Sequence, residues 1–206
     1  PSRFPDLRRS MTVSELAGTS LRQRISDWIF RARFPEQPPV VLTQKRIFIL
    51  PTRTGYFFAF VLLLLLVASI NYALSLGFLL TFLLAGMGSI GMLHTFRNMA
   101  RLSISPGRVE PVFAGENAHF TLVFSNPSMP RFALGARPAH TRNAAAFFTD
   151  AGVPESTTLV VPVHATRRGY LKCGRLEIFT EYPVGLFHAW SYVDFGMRCL
   201  VYPKPD

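Results

Sequence analysis

One apolar stretch limits what this chain can fold into more than any other feature. Residues 54–93 contain no Asp, Glu, Lys, Arg or His across forty positions. About twenty apolar residues form a helix that crosses the roughly 30 Å hydrocarbon layer of a bilayer, so this stretch suffices for two crossings. A single helix of forty residues would extend about 60 Å, twice the distance available. We therefore expect the chain to reverse at its polar break, residues 69–72, and to form transmembrane helices at about 55–70 and 73–93.

Basic residues flank this apolar stretch on both sides. The chain carries 22 Lys and Arg against 12 Asp and Glu, a net charge of +10. Lys and Arg next to transmembrane segments favour the cytoplasmic side and attract anionic lipid headgroups. The pattern predicts a multi-pass membrane protein with both termini in the cytoplasm, and it argues against nucleic acid as a partner. The residues that predict this topology are Lys45, Arg46, Arg53, Arg97, Arg101 and Arg108.

Small residues recur at every fourth position of the second apolar segment. They are Gly77, Thr81, Ala85 and Ser89. Lipid provides no hydrophobic drive for helices to associate, so close approach along small residues is the usual way that membrane helices pack. We expect this stripe to face either the first helix or a helix of another protein, including a second copy of this chain.

The N-terminal segment, residues 1–53, contains an amphipathic pattern. Apolar residues fall on one face of a helix predicted at about 14–33, and arginines surround them. This face consists of Leu21, Ile25, Trp28 and Ile29. Such a helix either lies along the lipid headgroups or packs on the domain that follows, and the pattern leaves both interpretations open.

The hydrophobic period changes from that of a helix to that of a strand beyond residue 99. Phe120, Leu122 and Phe124 alternate with other residues, and similar short runs follow at 159–163, 176–180 and 199–202, separated by Gly and Pro turns. Short alternating strands of this kind are typical of a sandwich. The expected fold class is membrane α plus all-β: a two-helix transmembrane hairpin followed by a small immunoglobulin-like β-sandwich over 99–206 that ends in a linker. Residues 131–155 are expected to be loop with a strand or two.

Recognisable catalytic patterns are missing from the sequence. The five His residues are scattered, with no HExxH and no His–Cys cluster at the spacing of metal ligands. A Walker loop and a GxSxG elbow are likewise missing. Cys173 and Cys199 lie outside any CxxC spacing and are expected to be reduced thiols, as is usual in the cytoplasm. We therefore predict no catalytic residue, no metal and no cofactor.

Several motifs occur in order along the second half of the N-terminal segment, the apolar stretch and the β region. They are residues 45–55 (KRIFILPTRTG), 69–72 (SINY), 80–86 (LTFLLAG), 92–98 (MLHTFRN), 111–116 (PVFAGE) and 182–192 (YPVGLFHAWSY). Together they resemble the N-terminal portion of the bacterial membrane proteins that carry domain of unknown function fifty-eight, over about residues 40–206. Genes of that family tend to lie beside those of MoxR-type AAA+ ATPases, so the resemblance implies such an ATPase as a partner. The domain that names the family is missing here, so the chain is expected to be part of a longer protein.

The leading functional hypothesis is a non-enzymatic membrane anchor, or adaptor, that presents a cytoplasmic β domain to a partner such as a MoxR-type ATPase. One alternative is a portion of a membrane-bound enzyme whose catalytic domain lies beyond residue 206. Another alternative is a subunit of a transport complex. The transport hypothesis is weaker because substrate pathways in membranes normally require ionisable groups, and residues 54–93 contain none.

Overall fold

Long helices and short strands occupy separate parts of the chain. A computed structural model describes residues 37–125, 129–139, 146–152 and 156–204, which fall in one structural unit, residues 35–206. Within the described ranges the long helices are α1, Arg53–Asn71, and α2, Ser75–Met99. The strands there are β1 Val40–Val41, β2 Phe48–Pro51, β3 Ser103–Pro106, β4 Val112–Phe113, β5 Asn117–Ser125, β6 Arg131–Pro138, β7 Phe147–Ala151, β8 Thr157–His164, β9 Gly169–Lys172, β10 Leu176–Thr180, β11 Phe187–Val193 and β12 Arg198–Tyr202.

The two helices coincide with the apolar stretch. Thr52 caps α1, because its hydroxyl oxygen accepts a hydrogen bond from the Gly55 N–H at 3.1 Å and so satisfies one of the free donors at the helix start. The chain reverses after α1 through Ala73, which has a left-handed φ of 50°. The prediction of two helices long and apolar enough to cross a membrane is confirmed. α2 continues to Met99, past the end expected at residue 93.

The β region consists of three sheets within the described residues. Their strand orders are β1-β3-β5-β8, β2-β11-β10-β6-β7 and β4-β12-β9, and β4 with β12 is the parallel pair among them. Phe120, Leu122 and Phe124 of β5 are fully buried, whereas the residues between them are not. They form one apolar core with Ile178 and Val193 of the five-stranded sheet. The prediction of a mostly β region is confirmed. The alternating apolar residues of β5 belong to the core of this region.

The β region begins before the helices, which corrects the boundary expected at residue 99. β1 pairs with β3, with Val40 opposite Ile104, and β2 pairs with β11, with Phe48 opposite Trp190. β1 and β2 have two and four residues, too few to show an alternating pattern. The sequence pattern therefore assigned both strands to the N-terminal segment, residues 1–53. We use the name β domain for the three sheets together; β2 leads into α1 and α2 leads into β3, so the helix pair joins this domain at one end.

Two strands occupy much of the segment 131–155. β6 and β7 pair at the edge of the five-stranded sheet, with a bulge between Arg131 and Leu134. Ala133 lies within this bulge and has a left-handed φ of 49°. The bulge removes the period of two that would have marked this strand in the sequence.

Candidate membrane interface

The two helices contact each other through small residues. A Cβ added to Gly77 would collide with the Ser69 side chain of α1, and one added to Gly88 would come within 3.0 Å of the Phe58 ring. Thr81 lies between these two glycines along α2 and is 5% exposed. The helices thus approach closely enough that a larger side chain at Gly77 or Gly88 would force a shift.

The predicted stripe of small residues covers only part of this contact. Thr81 is buried, Gly77 and Ala85 are half-buried, and Ser89 is exposed, with its hydroxyl donating to the Ala85 carbonyl of its own helix at 2.9 Å. A step of four residues turns a helix by about 400°, so a strict spacing of four drifts by about 40° at each step. In the structure Gly88, three residues after Ala85, returns to the contact face and replaces Ser89 there.

The outward surface of both helices is apolar and exposed. The most hydrophobic windows of α1 and α2 have mean hydropathies of 2.1 and 2.0, and only 11% and 17% of them is buried. A core helix of a soluble domain buries its apolar residues instead. The exposed side chains include Phe57, Leu63, Leu76, Leu79, Phe82 and Leu83. Contiguous apolar surface of this extent marks a region that contacts lipid or another protein.

Hydrogen bonds attach the last turns of α2 to the β domain. The Thr95 hydroxyl donates to the Tyr182 carbonyl at 2.8 Å. The Asn98 amide donates to the Phe132 carbonyl at 2.7 Å and to the Thr180 hydroxyl at 3.0 Å, and its oxygen accepts from the Phe132 N–H at 3.1 Å. Both side chains are buried. The sequence analysis did not select Thr95 or Asn98, although polar residues at the end of an apolar helix were a usable signal.

The start of α1 is attached to the same part of the β domain. The Thr52 N–H donates to the Leu186 carbonyl at 2.9 Å, and the Thr52 hydroxyl donates to the Gly185 carbonyl at 2.6 Å. A Cβ added to Gly55 would overlap the Leu186 carbonyl oxygen, so glycine is needed at this position. Residues 181–186, here called the junction loop, therefore contact the ends of both helices.

The residues that predicted the topology lie on this side of the helix pair. Arg53 is the first residue of α1 and Arg97 lies in the last turn of α2, and both are exposed. Lys45, Arg101 and Arg108 are exposed as well, and Arg46 is half-buried. The turn at the opposite end of the helices, residues 72–74, carries no charge.

A buried arginine lies next to the end of α2. Arg131 is 2% exposed and donates through Nη2 to the Ala100 carbonyl at 2.9 Å. Burial lowers the pKa of Arg131 below its usual value, and the nearby charge of Arg97 lowers it further. Arg131 was not among the predicted site residues, because an isolated arginine in a segment expected to be mostly loop gives no signal of burial.

A second charged cluster lies on the five-stranded sheet. Arg137 donates two hydrogen bonds to the Glu177 carboxylate, at 2.8 and 3.1 Å, and His188 Nδ1 lies 2.9 Å from Glu181 Oε1. Burial would raise the pKa of Glu177, but His188 and Arg137 together outweigh burial and hold this pKa below its ordinary value. Arg137 and Glu177 thus form an ion pair between the neighbouring strands β6 and β10. Among the described residues no group of His, Cys, Asp and Glu is arranged to hold a metal ion.

Both cysteines are free and buried. Burial, with a contribution from the charge of Asp194, raises the pKa of Cys173 to about 12. Burial also raises the pKa of Cys199. Because the thiolate is the reactive form of cysteine, these shifts make both thiols inert at neutral pH.

The three-stranded sheet carries an exposed aromatic face. Phe113 and Tyr202 are opposite each other, with ring centroids 6.1 Å apart, and Tyr170 lies opposite Leu200, two residues before Tyr202. Side chains that are opposite or two residues apart point to the same side of a sheet. Phe113, Tyr170 and Tyr202 are 43%, 74% and 45% exposed. We call these three residues the aromatic face.

The predicted amphipathic helix with Leu21, Ile25, Trp28 and Ile29 lies outside the described residues. No family model, curated protein or solved structure matches the chain.

Proposed function

We propose that this chain is an integral protein of the bacterial inner membrane, in which α1 and α2 cross the bilayer as a hairpin. The observation that carries the proposal is the exposed apolar surface of two helices that join the β domain at one end. α1 has 19 residues and covers about 28 Å, close to the thickness of the hydrocarbon layer. α2 has 25 residues, so its last turns extend beyond that layer on the side of the β domain.

In this proposal the β domain is an immunoglobulin-like sandwich on the cytoplasmic surface, and both termini are cytoplasmic. The exposed basic residues near the joined ends of the helices support this orientation, because Lys and Arg next to membrane spans favour the cytoplasm. The short uncharged turn at residues 72–74 is easy to translocate, which supports the same orientation.

The biochemical role that we propose is that of a non-enzymatic adaptor, which holds the β domain at the membrane and presents it to a soluble partner. The resemblance to the family with domain of unknown function fifty-eight points to a MoxR-type AAA+ ATPase as this partner. The aromatic face offers the kind of surface that partners use, since exposed Tyr and Phe side chains are enriched where proteins bind each other. Tyr170 is its most exposed member.

Affinity purification from solubilised membranes tests the adaptor role. We expect the full chain to recover an AAA+ ATPase, and Tyr170→Ala to reduce recovery about tenfold, as truncation of an interface tyrosine commonly does. Tyr72→Ala is the matched control, because Tyr72 is equally exposed, at 71%, but lies in the turn at the far end of the helices. Recovery of no ATPase, or equal recovery with both variants, contradicts the proposal.

A further inference from the structure

A pocket of about 310 Å³ opens beside the end of α2. Its wall comprises His94, Arg97 and Asn98 of α2, residues 129–132 and Tyr182. His94 lies 19 residues after the start of α2, which is about 28 Å along the helix. If α2 crosses the bilayer as proposed above, this pocket lies where the helix leaves the hydrocarbon and enters the headgroup layer.

A buried guanidinium group, that of Arg131, belongs to the wall of this pocket. The Nε and Nη1 atoms of Arg131 are buried and have no hydrogen-bond partner, and its third nitrogen is used by the Ala100 carbonyl. Arg97 adds a second guanidinium, and no acidic residue is among the described residues of the wall. A buried charge is normally paired, because its transfer from water is costly without a partner. An anion beside Arg97 and Arg131 would supply such a pairing.

We propose that this pocket binds a phosphate group, supplied by the headgroup of an anionic phospholipid. A guanidinium group presents two parallel N–H donors that match the oxygens of a phosphate. The partial negative charge at the end of α2 would oppose an anion, but Arg131 already donates to the Ala100 carbonyl there.

Apolar side chains around the pocket support a lipid as the source of the phosphate. Met129, Phe132 and Tyr182 are 36%, 40% and 38% exposed, and the Phe132 and Tyr182 rings lie 5.1 Å apart. Aromatic residues favour the level of the headgroups, where their rings contact the upper part of the acyl chains. A free phosphate has no apolar part that could contact these side chains. The inference rests on the proposed membrane insertion.

Lipid binding to the full chain in a neutral detergent tests the proposal. The probes are phosphatidylglycerol, phosphatidylcholine and inorganic phosphate, and the readouts are bound lipid by native mass spectrometry and the unfolding temperature. We expect phosphatidylglycerol to bind at least fivefold more tightly than phosphatidylcholine. Arg97→Gln should weaken phosphatidylglycerol binding about tenfold, the usual effect of losing a hydrogen bond to a charged group. Arg53→Gln is the control, because Arg53 is an exposed arginine at the same end of the helix pair and outside the pocket.

A second variant addresses the buried charge. Arg131→Lys keeps the charge but removes the forked donors, so phosphatidylglycerol binding should also fall about tenfold. Arg97→Gln alters an exposed residue, so it gives a clear result even if Arg131→Lys does not fold.

The possible failures can be told apart by their outcomes. Equal binding of both lipids, or equal effects of Arg97→Gln and Arg53→Gln, overturns the proposal. Binding of inorganic phosphate that depends on Arg97, without any Arg97-dependent binding of phosphatidylglycerol, supports the phosphate site but overturns the lipid source. Retention in carbonate-washed membranes is measured in parallel: a retained protein without lipid preference contradicts only this inference, whereas release from the membrane contradicts the proposed function.

Discussion

Replacing Asn98 with leucine tests how α2 is joined to the β domain. Leucine has a similar volume but cannot make the hydrogen bonds to Phe132 and Thr180. The Phe132 N–H would lose its side-chain partner, while the Phe132 carbonyl would keep only the longer contact from the Thr180 hydroxyl at 3.4 Å. An unmet buried polar group costs about 1–3 kcal/mol, so one lost and one weakened partner give about 2–4 kcal/mol.

This loss of stability is large enough to measure as a decrease in the unfolding temperature. For a chain of this length 1 kcal/mol shifts the midpoint by about 2–4 °C, so Asn98→Leu should unfold about 5–15 °C below the wild type. Asn117→Leu is the matched control, since Asn117 is an exposed strand residue whose side chain contacts the exposed His164. We expect this control to unfold within about 2 °C of the wild type, because surface changes rarely exceed 0.5 kcal/mol.

The measurement is the apparent midpoint of unfolding in detergent, followed by circular dichroism of the β domain at one fixed heating rate. Trp190 fluorescence gives a second signal, because this side chain is 6% exposed in β11 and becomes solvated on unfolding. If Asn98→Leu unfolds at the wild-type temperature, these hydrogen bonds do not hold the helix to the β domain and the reasoning is refuted.

Three further predictions concern the helix contact, the charged cluster and the thiols. Gly88→Leu should destabilise the helix pair by about 1–3 kcal/mol through overpacking, whereas Gly86→Leu should not, since nothing lies within 4 Å of a Cβ there; equal unfolding temperatures of the two variants would contradict the helix contact. The pKa of Glu177 is lowered on folding, so its stabilisation is complete above the unfolded-state pKa of about 4.3 and is lost as the pH falls through the lower folded value. In the acid range the free energy of unfolding of Glu177→Gln should therefore depend less steeply on pH than that of the wild type. An unchanged slope argues against the stabilising role of the cluster. Cys173 and Cys199 should react with iodoacetamide at pH 8 only after unfolding, because burial raises the pKa of both; rapid labelling of the folded chain would disprove their burial.

The helices and the longer strands could be predicted because their signals are local. Forty residues without charge and the alternation of Phe120 with its neighbours are visible in short windows. Residues 40–50 could be predicted as extended, but the pairing of β1 and β2 with the β domain could not, because their partners lie beyond both helices. Ser89 is exposed and not packed on α1, because exact spacing by four ignores the 3.6-residue turn. Arg131 is buried against the end of α2, a contact that only the three-dimensional fold produces.

The central claim is that both helices cross a membrane and leave the β domain on the cytoplasmic side. Single cysteines at Tyr72, in the turn between the helices, and at Arg167, in the β domain, test it directly, since both residues are exposed. The natural cysteines are buried and give little background. With a membrane-impermeant maleimide on intact spheroplasts, Tyr72→Cys should be labelled, and Arg167→Cys should be labelled only after permeabilisation. Labelling of Arg167→Cys in intact spheroplasts, or recovery of the chain in the soluble fraction, would contradict the account.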